Sequence, residues 1–175
     1  GDTTSTLSLF SELEKRGVIA DSLLYAPDTT LAGSVAEAVD TEATFWLDSV
    51  LRYHALIEEM SFSSPDGFCV LLTGLGGYFG LRGGETDAVW QSGLVGYTKS
   101  LALRREGCAI KAIDLDLNID PQSNAHDVVR EIEASEMDVE VGLRGGERFV
   151  PRLCKIIAPL GASGEELGLD DVILV

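Results

Sequence analysis

Between Phe68 and Asp116 the spacing of hydrophobic positions passes from continuous to helical and back, and the rest of the chain is read around that stretch. FCVLLT, residues 68–73, carries no charge, the pattern of a parallel strand covered on both faces. Four of the seven residues from Gly74 to Gly80 are glycine, so the chain leaves this strand through a loop that tolerates positive φ and close backbone approach. From about Thr86 the period becomes helical: Val89, Trp90, Gly93, Leu94, Tyr97 and Leu101 share one face. Asp87 or Thr86 can cap that helix, Lys99, Arg104 and Arg105 suit its negative end, and Gly107 closes it. AIKAIDLD then alternates into a second strand. The pattern is a βαβ unit, and whether it holds a nucleotide is the functional question.

The flanking elements follow the same rules. Residues 1–6 read as a polar tail, Leu7 to Arg16 as a short helix ended by Gly17, and Asp21 to Pro27 as a short strand. Ser34 to Ala38 has room for one helical turn. Thr41 to Met60 is the strongest helix, with Phe45, Val50, Leu51, His54 and Ile57 as its apolar stripe and Asp40 or Thr41 at its cap. After the βαβ unit, NIDPQS reads as a loop and Ala125 to Ser135 as a short acidic helix. DVEVGL and ERFVPRL flank Arg144-Gly145-Gly146 as a β-hairpin. Residues 161–171 read as a linker, and Asp171 to Val175 as a strand that is just beginning. Gly1 and Val175 both read as cut ends, and no repeat of 20–50 residues is present. The expected architecture is a truncated Rossmann-like parallel sheet flanked by helices, with a C-terminal β-hairpin. It divides into a tail and short helix over 1–20, the α/β subdomain over 21–158, and a linker plus the first strand of a following subdomain over 159–175.

Composition narrows the partners. A net charge of −16, dispersed along the chain, argues against nucleic acid and anionic membrane surfaces. No apolar run approaches the roughly 18 residues of a membrane span, and no secretion signal is present, which leads us to expect a cytoplasmic protein. Cys69, Cys108 and Cys154 are an odd, scattered set, two of them in apolar strand-like surroundings, read as buried free thiols in a reducing compartment rather than a metal site.

The candidate chemistry is thin when taken residue by residue. Thr73-Gly74-Leu75-Gly76-Gly77-Tyr78-Phe79-Gly80 follows a strand, as a dinucleotide fingerprint does. That fingerprint needs a helix opening at the glycines, so that its first amides meet the pyrophosphate. Here Leu81-Arg82-Gly83-Gly84-Glu85 intervenes, and position 79, where GxGxxG requires glycine, is phenylalanine. Asp114 lies 34 positions after Gly80, whereas an acidic ribose ligand is expected roughly 20 positions on. The loop therefore reads as structural, with no cofactor bound. His54 reads as a core or boundary residue of the long helix and His126 as a solvent-facing one. No G-x-S-x-G elbow is present. Asp114 and Asp116 alternate on one strand face, a carboxylate pair equally suited to caps or solvent contacts.

Residues 45–116 resemble the second half of a short-chain dehydrogenase, in which a long helix leads to a strand ending in Ser, a loop of about a dozen residues, and a helix opening Tyr-x-x-x-Lys and running into K-S-L-A. Gly93-Leu94-Val95-Gly96-Tyr97-Thr98-Lys99-Ser100-Leu101-Ala102 sets the register without gaps. On it the catalytic Tyr falls on Asp87, the Lys on Gln91, and the Ser near Thr73 or Gly74. The long helix holds no Asn, and the N-terminal TGxxxGxG unit is missing. Aspartate cannot protonate an alkoxide at neutral pH unless its pKa rises by several units, and glutamine brings no charge to depress a phenol pKa. The resemblance thus implies an inherited fold whose hydride-transfer chemistry has been lost.

Such a half is similar to the structural subdomain of ketoreductase domains in type I polyketide synthases and polyunsaturated fatty acid synthases. GLVGYTKSLALRREGCAIKAIDLD, residues 93–116, resembles that family's GLxGLxKSLAxEWPxVxxRAIDLD, with Arg105-Glu106-Gly107 where the family has Trp-Pro. EVGLRGGERFVPRL, residues 140–153, resembles its EVGxxxGxRxVPRL hairpin, and DVILV stands where the family's VLVTGG strand begins. The resemblance implies a non-catalytic scaffold packed on a catalytic subdomain of the same polypeptide. That subdomain would use NADPH to reduce a β-ketoacyl chain on an acyl carrier protein. Gly76, Gly77, Tyr78 and Trp90 are the expected interface residues. The competing readings are a free-standing divergent NAD(P)-dependent reductase and a docking module for another synthase domain.

Overall fold

The computed structural model describes residues 11–13, 15–17, 21–27, 39–60, 67–82, 90–105, 108–134 and 136–154. Strand β1 (Leu23–Tyr25) is followed by helix α1 (Val39–Glu59), β2 (Phe68–Thr73), α2 (Gln91–Ala102), β3 (Ala109–Leu115), α3 (Pro121–Glu133), β4 (Glu140–Arg144) and β5 (Glu147–Phe149). They form one five-stranded sheet in the order β1-β2-β3-β4-β5, parallel from β1 to β4 and antiparallel between β4 and β5. This is the expected Rossmann-like α/β sheet flanked by helices, with its C-terminal hairpin. Gly145 and Gly146 both take positive φ, 57° and 79°, which gives the two-residue turn the twist a hairpin needs.

The alternation of β2 and β3 separates two cores. Cys69, Leu71, Ile110 and Ala112 face α1 and α2, meeting Tyr53, Ile57, Leu94 and Leu101. Val70, Ile113 and Leu115 face the other way, where Val128 of α3 joins Val141 and Leu143 of β4. Strand order advances in one direction while α1 and α2 cross one face and α3 crosses the other. The β3–α3–β4 crossover therefore has the opposite hand to the two before it. Parallel crossovers are nearly always right-handed, so this chain holds an exception.

Four expectations need correction. In α1 the buried stripe is Ser49, Tyr53 and Ile57, followed by Met60, whereas His54 is exposed and Leu51 is half-exposed. The stripe turns toward Tyr53 because the phenol finds polar partners inside: Thr98 Oγ1 donates to it at 3.3 Å, and Cys69 Sγ lies 3.4 Å away. Helix α3 starts at Pro121, four residues before the sequence reading placed it, because Asp120 caps it by accepting from Ser123 N at 2.9 Å and Pro121 suits the first turn. Helix α2 ends at Ala102, short of Gly107, and its buried positions are Gln91, Leu94, Val95, Thr98 and Leu101, with Gly93 exposed. Of the three free thiols only Cys69 is buried, while Cys108 is partly buried and Cys154 exposed. The first ten residues, the turn at 34–38, the helix start proposed at Thr86 or Asp87, and all of 155–175 lie outside the described residues.

Candidate functional site

Strands β2 and β3 end side by side, with Thr73 in register with Asp114. Asp114 is completely buried. Its Oδ1 accepts from Thr73 Oγ1 at 2.8 Å and from Leu75 N at 2.6 Å, and its Oδ2 accepts from Phe79 N at 2.8 Å. The glycine-rich loop thus folds back over the end of its own sheet and closes around a single carboxylate. Gly76, Gly77 and Gly80 take positive φ, and so does Phe79 at 55°, an unusual conformation for a bulky residue. The Phe79 N–H bond to Asp114 and the packing of its ring on the core hold it there.

The remaining loop donors also turn inward. Gly74 N donates to Gln91 Oε1 at 2.7 Å, Gly76 N to Leu115 O at 3.2 Å, Gly80 N to Leu75 O at 3.1 Å and Leu81 N to Tyr78 O at 3.0 Å. Burial pushes the Asp114 carboxyl above its ordinary value, and the bonds from Phe79, Leu75 and Thr73 only partly offset it. The magnitudes are of the same order: a hydrogen bond to a charged group contributes about 1.5–3 kcal/mol, and desolvating an ion costs several.

The loop is clasped to the hairpin as well. A Cβ on Gly142 of β4 would overlap the Gly77 carbonyl, so the two backbones touch only because both residues are glycine. Tyr78 packs edge-on against Phe149 with ring centroids 4.5 Å apart, and Arg82 lies 4.7 Å over the Tyr78 ring.

Each sequence-derived candidate has a definite place. Thr73 and Gln91, aligned by resemblance with the catalytic Ser and Lys, are both buried and both bonded to the loop system. Asp87, aligned with the catalytic Tyr, lies outside the described residues. Gly77 is buried, Gly76 and Tyr78 are partly buried, and Trp90 occupies the position before α2, packed on the inner core. Asp116 is neither a cap nor a solvent contact. Its Oδ1 accepts from Asn118 N and Nδ2, each at 3.0 Å, and its Oδ2 pairs with Arg144 Nε at 3.0 Å. His54 Nδ1 is 2.6 Å from the Tyr97 hydroxyl, joining the outer surfaces of α1 and α2. His126 is exposed on α3.

A second polar cluster went unnoticed in the sequence. Lys111 of β3 donates to Glu131 of α3 at 2.6 Å. Arg148 of β5 donates to the same carboxylate at 2.7 Å and reaches Asp138 at 3.1 Å, and Arg152 adds to Asp138 at 2.8 Å. Burial raises the Glu131 pKa, but the bonds from Arg148 and Lys111 outweigh it and leave the carboxyl below its ordinary range. The signal was present in the hairpin motif, whose Arg148 and Arg152 need acids to face them.

No set of three or more His, Cys, Asp or Glu among the described residues is placed to hold a metal ion, and no described helix is long and apolar enough to cross a membrane. No protein-family model and no curated protein matches this sequence.

Proposed function

We propose that this chain is a non-catalytic structural subdomain that packs against the catalytic ketoreductase subdomain of a modular polyketide or fatty acid synthase. The observation that carries the reading is the inward turn of the glycine loop. A loop that grips pyrophosphate needs free N–H groups converging on open space. Here six amides between Gly74 and Leu81 already have partners within the chain. Thr73 and Gln91 support it, because their polar ends face the loop and Asp114 instead of a substrate. In the whole enzyme NADPH and the acyl-carrier-bound substrate would belong to the adjoining subdomain, and this part would fix that subdomain's position and stability.

Titration of the chain with NADPH and with NADH, followed by tryptophan fluorescence and calorimetry, tests the first half of the reading. No saturation up to millimolar cofactor is expected, and saturable micromolar binding would overturn it. Co-expression with a separately encoded ketoreductase catalytic subdomain tests the second half. A stable complex with raised melting temperature and recovered β-ketoacyl reduction is expected. Unchanged stability and activity would reject the scaffold role.

A further inference from the structure

We propose that the cavity between the end of α3 and the starting ends of β2 and β3 binds a medium-chain carboxylate, with its apolar tail against the strand side chains and its head at Lys111. The cavity has a volume of about 370 Å³, within the roughly 300–1,000 Å³ of small-molecule sites. Val70, Ile110 and Lys111 are its most deeply buried lining residues, and Phe68, Ile132 and Met137 extend the apolar wall. Glu136 is the one carboxylate among the lining residues, and it is exposed. A largely apolar wall with a buried cation at one point suits a ligand divided in the same way.

The charges around Lys111 favour an anionic head. Its Nζ donates to Glu131 Oε1 at 2.6 Å and to Glu131 O at 3.1 Å. An ammonium carries three donors, so these two bonds leave a third N–H at the cavity wall. The ion-pair cluster behind it joins three cations, Lys111, Arg148 and Arg152, to only two carboxylates, Glu131 and Asp138. One positive charge is therefore in excess, in a chain whose net charge is −16. Glu131 shows the effect, since its carboxyl is held below the ordinary range although it is buried. Arg105, which also reaches Glu58 at 3.3 Å, adds a second cation to the lining. The inference stands apart from the proposed scaffold role, because that role assigns no ligand to this end of the sheet.

The test titrates the 175-residue chain calorimetrically with sodium octanoate, with octanol and with sodium acetate. Octanoate should bind once per chain with a Kd between about 0.1 and 1 mM. Octanol, which keeps the tail and lacks the charge, should bind at least about tenfold more weakly, and acetate should not bind. Cys108 lines the cavity and Cys154 does not, so iodoacetamide labelling followed by mass spectrometry gives the location in the wild-type protein. Saturating octanoate should slow modification of Cys108 at least about threefold and leave Cys154 unchanged. In Lys111→Met the preference for octanoate over octanol should disappear. No saturation by about 10 mM octanoate overturns the proposal. So do octanol binding as tight as octanoate, an unprotected Cys108, or an octanoate preference that survives in Lys111→Met. If Lys111→Met does not fold, the wild-type titrations and the Cys108 rates decide.

Discussion

Lys111 and Glu131 form an ion pair at 2.6 Å with their side chains only 6% and 4% exposed, joining the middle of β3 to α3. A buried pair of this kind contributes little beyond a hydrophobic substitute, but losing one partner strands the other. Lys111→Met should cost about 3 kcal/mol, because Arg148 still faces Glu131. Glu131→Leu should cost more, because it strands the buried Lys111 ammonium, while Arg148 keeps only Asp138. Urea denaturation of both variants gives the order directly, and equal losses would show that Arg148 carries no share of the pairing.

The two shifted carboxylates act oppositely on acid stability. Asp114 has its pKa raised, so the folded state takes up its proton first, and stability gains as pH falls from neutral through the folded value. Glu131 has its pKa lowered, so the stability it contributes is complete above the ordinary glutamate range and is lost as pH falls through its folded value. Unfolding free energy should therefore rise slightly on mild acidification and then drop. Asp114→Asn should abolish the rise, and Glu131→Gln should flatten part of the drop. A wild-type curve that falls steadily from neutral pH would contradict the assignment to Asp114.

Two glycines separate close approach from mere permissiveness. Gly142→Ala would drive a methyl into the Gly77 carbonyl and should destabilise the fold by about 3 kcal/mol or more. Gly96→Ala, on the exposed side of α2 with nothing near its Cβ position, should stabilise it by up to about 1 kcal/mol. Thermal melts of the pair provide the comparison.

The thiols should react in a fixed order. Cys154 is exposed and should be modified first by Ellman's reagent in the native protein. Burial raises the pKa of the partly covered Cys108, which should follow more slowly. Cys69 is buried beside Tyr53, and desolvation pushes its thiol up to about 11, so it should react only on unfolding. Three equal native-state rates would contradict this packing.

The extent to which the fold was legible follows the source of each signal. FCVLLT gave β2 residue for residue, because an uncharged run between glycines has few alternatives. Gly145-Gly146 marked the hairpin for the same local reason. The stripe of α1 was misjudged because Tyr53 and His54 are adjacent and both amphipathic, and only tertiary partners, Thr98 for one and Tyr97 for the other, decide which turns inward. The loop was read as structural, yet its partner was missed. Asp114 stands 40 positions beyond Gly74 in sequence, and only the parallel register brings it alongside Thr73. An aspartate near the end of a largely apolar strand, next to a strand that runs into glycines, was the available clue.

The opposite hand of the last crossover gives β3 a packed core on each side, and six of its seven residues are buried. A strand clad in this way has no neutral face on which substitutions can accumulate. In a saturation-mutagenesis survey residues 110–115 would form an unbroken intolerant block, without the alternating tolerance of a strand that has one wet side. Adaptive change in this domain would thus have to enter through its loops and outer helix surfaces, leaving β3 as the part of its ancestry that it can least afford to revise.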